Sequence, residues 1–288
     1  MDASRKFGVA KVYDSQLMNY LTILRDKAVD VLEIGFAEKM PELPSELVKD
    51  AKSLGISLTC HLPFIINLAE ERDRGRCVRY LAQGIRYAKL MDGLAVFHPG
   101  FYGGHPFEEV KSNLLGAVKQ ALVEEPLGRG RLGIETTGKK AEIGSLEEVL
   151  GLVKEIDSDG VVPVIDWAHI YARTQGTFPR SIDDFAEILG KIKDEFDLEM
   201  LHCHASGIEF GTSGERKHVS AKTCSPPIPY LMHVLKQNQV SFQMVIESPD
   251  PLEDLAWLKL VLEDPERWFP LVEQRHERLQ KGLMDAYF

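Results

Sequence analysis

Six side chains that can bind metal ions recur along the chain at intervals of 31 to 45 residues. They are His61, His98, Glu135, Asp166, His202 and Glu247. Each follows or ends a short apolar segment, as in "SLTCHLP" and "LAVFHPG". One histidine in such a place is more often a hydrogen-bonded structural residue than a ligand, but six successive placements of the same kind are hard to explain by packing. Because imidazoles and carboxylates buried together without a cation are costly, the pattern predicts a metal centre.

Further candidate ligands extend this set. His169 follows Asp166 by three residues, and His218 lies in the long segment "SGIEFGTSGERKHVS", three residues after Glu215. His204 shares a strand face with His202, one step further out, so we place it beside the ligands or facing the substrate. The alternative interpretation of the long segment is a solvated, flexible lid.

The ligand types indicate which ion the centre would hold. Imidazoles and carboxylates without clustered thiolates favour zinc or manganese, and the number of histidines favours zinc. Eight or nine ligand groups are too many for one ion, whereas two or three ions that share bridging carboxylates fit the number. Sites of that kind are used repeatedly for phosphoryl displacement.

Alternating apolar and amphipathic segments must position these side chains. Eight short apolar segments read as strands, at residues 7–13, 29–36, 55–62, 93–100, 131–137, 161–168, 198–205 and 240–248. The segments between them have helical periodicity, and Ser145 with Glu148 forms a capping-box pattern. We therefore predict an α/β protein, a (β/α)8 TIM barrel with an extra C-terminal helix, in a single domain over residues 1–288. In such a barrel all strand ends converge on the face that carries the active site.

An open, doubly wound sheet is the rival fold. It usually carries a glycine-rich phosphate loop after its first strand, and "VYDSQLMN" contains no such loop. The length of 288 residues also suits a barrel, for which roughly 250 is typical.

Composition limits the classes of partner. The N-terminus lacks a signal-like apolar segment and no apolar run approaches the roughly 18 residues of a membrane span, so we expect a cytoplasmic protein without a membrane partner. Nothing in the sequence indicates an obligate protein partner. A formal net charge of -10 disfavours indiscriminate binding to nucleic acids, although a local basic face is compatible with it.

The motifs "HLPFIINLA", "FHPG", "IETTG", "VIDWAH", "LHCHASG" and "VIESPD" have an order and spacing that resemble the endonuclease IV family of apurinic/apyrimidinic endonucleases, within the xylose-isomerase-like TIM barrels. The resemblance covers nearly the whole chain. It implies damaged double-stranded DNA as the partner and a trinuclear zinc site in which Glu135 bridges two ions. The residues that match the family's ligands are His61, His98, Glu135, Asp166, His169, His202, His218 and Glu247.

The chain departs from the family pattern at several positions. The usual Asp-x-His reads Glu215-Arg-Lys-His218, so whether Glu215 is a ligand stays open. A tyrosine that enters the DNA in the family is Phe64 here, and the region "EIGFAEKMPEL" is acidic. We expect Phe64 and Ile65 to fill the gap left by a missing base. The other candidate substrate contacts are Asn67, His204, Arg216 and Lys217.

The function expected on these grounds is metal-dependent hydrolysis of the phosphodiester 5′ to abasic sites, with Glu135 or Glu247 also orienting the nucleophile. The alternative is a single-metal sugar isomerase or epimerase of the same superfamily, which would use Glu135, Asp166, His202 and Glu247 and move a proton between carbons. The four additional histidines favour the nuclease. A non-enzymatic binding barrel is the least favoured class, because binding alone gains little from so many ligands.

Overall fold

The computed structural model describes residues 3–285 of the chain, and the side chains of residues 3–278. Within this range the strands are β1 (Arg5–Val12), β2 (Val31–Gly35), β3 (Ser57–His61), β4 (Leu94–Phe97), β5 (Gly100–Phe101), β6 (Arg131–Glu135), β7 (Glu142–Ile143), β8 (Val161–Asp166), β9 (Leu201–Ala205), β10 (Gly207–Gly211), β11 (Gly214–Val219) and β12 (Phe242–Ile246). The α-helices are α1 (Leu17–Asp26), α2 (Ser45–Ser53), α3 (Arg74–Met91), α4 (Phe107–Glu124), α5 (Leu146–Ile156), α6 (Trp167–Arg173), α7 (Ile182–Glu195), α8 (Ile228–Gln237), α9 (Pro251–Glu263) and α10 (Phe269–Asp285).

Eight of the strands close into a parallel barrel in the order β1-β12-β9-β8-β6-β4-β3-β2, and β2 pairs with β1 to complete the ring. All eight correspond to the apolar segments that the sequence predicts as strands. Closure excludes the open doubly wound sheet. The (β/α)8 fold is therefore confirmed, and α10 is the predicted extra helix.

Amphipathic helices such as α1 and α5 pack against the barrel through their apolar faces. In α1 that face contains Leu17, Leu21 and Leu24, as the helical spacing predicts. In α5 the capping box is present: the Glu148 amide donates to Ser145 Oγ at 3.2 Å, and the Ser145 amide donates to the Glu148 carboxylate at 2.9 Å.

That residues 1–288 form a single domain stays a prediction. Residues 1–2 and 286–288 of that range lie outside the described part of the chain.

The four remaining strands form two small sheets beyond the barrel's C-terminal rim. β5 pairs with β7, and β10 pairs with β11 in a hairpin. The segment predicted as a long loop is thus this hairpin. It is held against the loop after β6, where the Glu215 amide donates to the Gly138 carbonyl at 3.0 Å and the Lys140 amide to the Ser213 carbonyl at 3.0 Å.

The barrel interior combines an apolar layer with polar groups. Leu94, Val96, Val162 and Val164 pack together there, separately from the main core between strands and helices. The barrel strands also carry buried polar side chains, namely Glu33, Thr59, Glu135, Asp166, His202, His204 and Gln243. Among the described residues, no helix combines the length and apolar character needed to cross a membrane.

Candidate metal centre

Three groups of side chains at the C-terminal rim of the barrel could each hold a metal ion. They are His61, His98 and Glu135; Glu135, Asp166, His204 and Glu247; and Asp166, His169 and His218. Within each group the ligand atoms lie within 4.8 Å of one another. Glu135 and Asp166 each belong to two groups, which is the arrangement that bridging carboxylates require.

Glu135, at the end of β6, is the hub of the first group. Its Oε2 lies 2.8 Å from His61 Nε2 and 3.1 Å from His98 Nε2. The other ring nitrogen of His61, Nδ1, lies 2.9 Å from the Leu62 carbonyl oxygen, to which it can donate a proton. This contact leaves Nε2 of His61 directed at the cluster.

The second group surrounds the opposite oxygen of Glu135. His204 Nδ1, on β9, lies 2.8 Å from Glu135 Oε1 and 3.5 Å from Glu247 Oε1. Asp166 ends β8 and caps α6, where its Oδ1 accepts from the His169 amide at 2.7 Å. Its Oδ2 is buried and has no hydrogen-bond partner, as expected for an oxygen that serves a cation. The donor set of imidazoles and carboxylates fits zinc or manganese.

The third group joins α6 to the β10–β11 hairpin. His169 Nε2 lies 3.3 Å from His218 Nε2 and 3.5 Å from Glu215 Oε2. The other nitrogen of His169 lies 2.8 Å from the Thr136 carbonyl oxygen, and that of His218 lies 2.6 Å from Ser206 Oγ. Both rings therefore direct Nε2 into the same space.

A β-bulge brings Glu215 and His218 to the same side of β11. Residues three apart in a regular strand face opposite sides. Here the pairing shifts from Glu209 with Lys217 to Phe210 with Glu215, so that Arg216 is an extra residue and reverses the alternation. Glu215 Oε1 consequently lies 3.7 Å from His218 Nε2. That Glu215 is a ligand stays a prediction, now supported by its position.

His202 requires a correction. It belongs to none of the three groups, and its place on β9 is taken by His204, two residues further along. His202 lies deeper, in register with Val164 and Gln243, and neither of its ring nitrogens has a hydrogen-bond partner. Burial and the neighbouring charges of Arg131, His204 and Lys6 lower the pKa of His202 to about 3. It is a neutral interior residue, and His204 moves from substrate contact to candidate ligand.

The sequence-based interpretation also missed Glu33. This residue lies in the middle of β2, is 1% exposed, and places Oε1 3.2 Å from His204 Nε2. A carboxylate inside the buried segment "VLEIG" was the available signal, since an unpaired charge is rarely buried.

Charges in the centre are mutually dependent. Burial alone would raise the pKa of Glu135, but His204 and His98 hold that pKa well below its usual value. Burial alone would lower the pKa values of His61 and His169, yet the surrounding carboxylates raise both to about 9. Without cations the carboxylates are thus neutralised by protonated imidazoles, and an ion must displace those protons to bind.

A cavity of about 500 Å³ opens above the cluster. Exposed apolar side chains stand at its mouth, among them Phe64, which is 63% exposed, and also Val12 and Phe101. Two other predicted substrate contacts do not face the cavity. Ile65 is half-buried and does not line it. Asn67 Oδ1 accepts a hydrogen bond from the Phe101 amide at 3.0 Å, so the Asn67 side chain supports the loop structure.

Many basic side chains near the rim are paired with acids. Arg216 and Lys217 are exposed on the hairpin, where Lys217 pairs with Glu209 at 3.3 Å. Further ion pairs join Arg72 to Glu70, Arg74 to Glu71, Arg76 to Asp73, Lys139 to Glu142 and Lys222 to Glu253. The rim therefore carries less free positive charge than its sequence suggests.

Known proteins resemble this chain in sequence. An uncharacterized protein of Methanocaldococcus jannaschii is 30% identical over 239 residues, which cover 79% of this chain and 85% of that protein. A probable endonuclease 4 of Mycoplasma capricolum is 27% identical over 177 residues, 58% of this chain and 57% of the relative.

Solved structures share the fold. Endonuclease IV from Thermus thermophilus superposes with a TM-score of 0.67 at 19% identity, over 91% of this chain and 99% of that one. A D-tagatose 3-epimerase-like protein superposes with a TM-score of 0.66 at 19% identity, over 95% and 99%. The family model described as "Xylose isomerase-like TIM barrel" matches residues 23–268. Because that match spans most of the barrel, the chain belongs to the xylose isomerase-like TIM barrel family.

Proposed function

We propose that this protein is a metal-dependent phosphodiesterase that cleaves DNA on the 5′ side of abasic sites. The observation that carries the proposal is the set of three ligand groups joined through Glu135 and Asp166, since a site built for one ion would not need the third group or the histidines of the first. Neighbouring divalent cations, most readily zinc with these ligands, stabilise the attacking and leaving oxygens of a phosphoryl displacement.

The chain's own side chains have separable roles in this proposal. Glu247 lines the cavity and is 18% exposed, so its carboxylate can accept a proton from an attacking water and orient it. Glu135 is fully buried behind the histidines that contact it and acts as the shared ligand. Of the two predicted catalytic carboxylates, Glu247 is the one that lines the cavity, which supports its assignment as the residue that orients the water.

Phe64 supports DNA as the partner. It stands exposed at the mouth of the cavity, where an apolar ring can occupy the space of a missing base. Because the rim is acidic and its basic side chains are ion-paired, we expect DNA recognition to depend more on the lesion than on the phosphate backbone.

The deciding experiment is incision of an end-labelled duplex that carries one tetrahydrofuran abasic analogue, which cannot react by a lyase route. The zinc-loaded protein should cut 5′ to the analogue and leave the undamaged duplex intact. His98→Ala should abolish cutting because it removes a ligand of the first group, whereas His105→Ala, at an exposed histidine outside the centre, should not. A folded, loaded protein that leaves the duplex whole would contradict the proposal.

A sugar epimerase is the second candidate, because Glu135, Asp166, His204 and Glu247 form a complete four-ligand group by themselves. An epimerase would exchange a carbon-bound proton of a ketose with solvent. Incubation with ketoses in D2O, followed by NMR, tests this directly. Deuterium incorporation that survives His98→Ala and His218→Ala would favour the epimerase, because those residues lie outside the four-ligand group.

A further inference from the structure

The four histidines whose second ring nitrogen has a defined contact are not held in the same way. His61, His169 and His218 each place one nitrogen in the metal centre and the other against a neutral oxygen. Those oxygens are the Leu62 carbonyl, the Thr136 carbonyl and Ser206 Oγ, at 2.9, 2.8 and 2.6 Å. A neutral acceptor orients a ring but adds little to its basicity.

His204 differs, because its second nitrogen has no neutral acceptor and faces Glu33, a carboxylate outside the three ligand groups. Nδ1 points toward Glu135 and Glu247, and Nε2 lies 3.2 Å from Glu33 Oε1. Glu33 Oε1 makes no aligned hydrogen bond, so this close contact is better described as an ion pair.

Glu33 is itself held in place. Thr59 Oγ1, on the neighbouring strand β3, donates to Glu33 Oε2 at 3.0 Å, and both residues are buried. Glu33 belongs to none of the three ligand groups, so its contact with the centre is through His204.

We propose that Glu33 is a positioning residue that keeps the proton of His204 on Nε2 and directs Nδ1 at the ion shared by Glu135, Asp166 and Glu247. A carboxylate behind a ligating histidine sets the ring's tautomer and orientation and increases its basicity toward the metal. The inference rests on the metal centre of the proposed function and is independent of the proposed substrate.

Glu33→Gln isolates the charge, because glutamine has the same size and can still accept from Thr59. Glu142→Gln is the matched control: Glu142 is also buried and lines the same cavity, but its carboxylate pairs with Lys139 at 3.2 Å. Thr59→Val is the milder second variant, since it removes only the support of Glu33 and should still fold if Glu33→Gln does not.

Zinc content after equilibration with a chelator of known affinity is the first readout. Glu33→Gln should bind the ion of the second group about 10- to 100-fold more weakly, the usual cost of losing such a partner. It should therefore retain one ion fewer per chain than the wild-type protein and Glu142→Gln at the same free zinc concentration. Thr59→Val should weaken the same ion by a smaller factor. Wild-type zinc content and affinity in both Glu33→Gln and Thr59→Val would overturn the proposal.

The ¹⁵N NMR spectrum of histidine-labelled, zinc-loaded protein is the second readout. For His204 we expect a metal-shifted Nδ1 and a protonated Nε2, and zinc on Nε2 would overturn the proposal. Neither readout involves DNA. If both results are as expected but the protein leaves the abasic duplex intact, the role of Glu33 stands. Only the proposed substrate is then contradicted.

Discussion

Glu135 contacts His61, His98 and His204 within 3.1 Å, and this one carboxylate links two of the three ligand groups. The pKa values of His61 and His204 are raised by the surrounding carboxylates, so the charge of the centre depends on pH. For individual residues, the ability to bind an ion depends on which ring nitrogen or carboxylate oxygen faces the cluster.

The metal-free protein should lose stability as the pH rises from about 7 to about 9.5. The pKa values of His61 and His169 are raised to about 9 in the folded chain, above the value of 6.5 for a free imidazole. Their stabilising protonation is complete below the unfolded pKa and is lost as the pH passes the folded pKa. Urea unfolding of chelator-treated protein across this range measures the effect.

Zinc binding replaces those protons, so the apparent zinc affinity should rise over the same pH range. Isothermal titration at one pH in buffers with different ionisation enthalpies should detect proton release on binding. Proton uptake on zinc binding, or metal-free stability that increases toward pH 9, would show that the imidazoles are not held in their protonated form.

Phe64→Ala should weaken binding of the abasic duplex while leaving zinc content unchanged. Stacking of an aromatic side chain on a base contributes about 1–3 kcal/mol, which corresponds to roughly 5- to 150-fold in affinity. Fluorescence anisotropy with the lesion-containing duplex measures this change. Leu90→Ala, at an exposed apolar residue of α3 away from the cavity, is the control, and an equal loss in both variants would argue against a stacking role.

At the scale of elements, strand ends and one hairpin assemble the centre. The barrel strands β3, β6, β8 and β9 supply His61, Glu135, Asp166 and His204, while the β10–β11 hairpin supplies Glu215 and His218. The hairpin is tied by backbone hydrogen bonds to the loop that follows Glu135, so Glu215 and His218 are attached to the barrel without belonging to one of its strands.

The spacing of Glu215 and His218 should tolerate deletion better than insertion. Removing Arg216 eliminates the bulge and leaves two residues of separation, which a regular strand places on one face. Inserting one alanine after Lys217 lengthens the separation to four with the bulge still present, which turns the two side chains apart. Zinc per chain should be preserved in the deletion and reduced by one ion in the insertion, and wild-type zinc content in the insertion would contradict the role of the bulge.

In the whole molecule, the barrel architecture favours a metal centre, whereas the net charge disfavours binding to a polyanion. The barrel brings the ligands to one face, but the formal net charge is -10 and most basic side chains near the rim are paired with acids. The proposed recognition of DNA would therefore rely on few free cations.

Binding of the abasic duplex should depend weakly on salt. Each neutralised phosphate contributes about -0.9 to the slope of log K against log salt concentration, and we expect a slope of about -2 to -3, as for two or three phosphates. Anisotropy titrations between 50 and 200 mM salt, roughly the range over which such slopes are measured, provide the value. A slope much steeper than this would mean that the ion pairs at the rim open to bind DNA.

The barrel and five residues of the candidate metal centre could be predicted from the sequence. Local periodicity marks the eight strands, Ser145 and Glu148 mark the start of α5, and parallel strands in a closed ring leave their ends on one face. His61, His98, Glu135, Asp166 and Glu247 could therefore be placed together without coordinates.

The tertiary structure alone decided which of two equivalent histidines reaches the centre. His202 and His204 share a strand face, and only the register of β9 against β8 and β12 sets their depths. The same holds for the bulge at Arg216, for the reach of Glu33 across the barrel, and for the ion pairs that neutralise the rim. Each depends on contacts between residues distant in sequence, and no local pattern of residue types encodes such contacts.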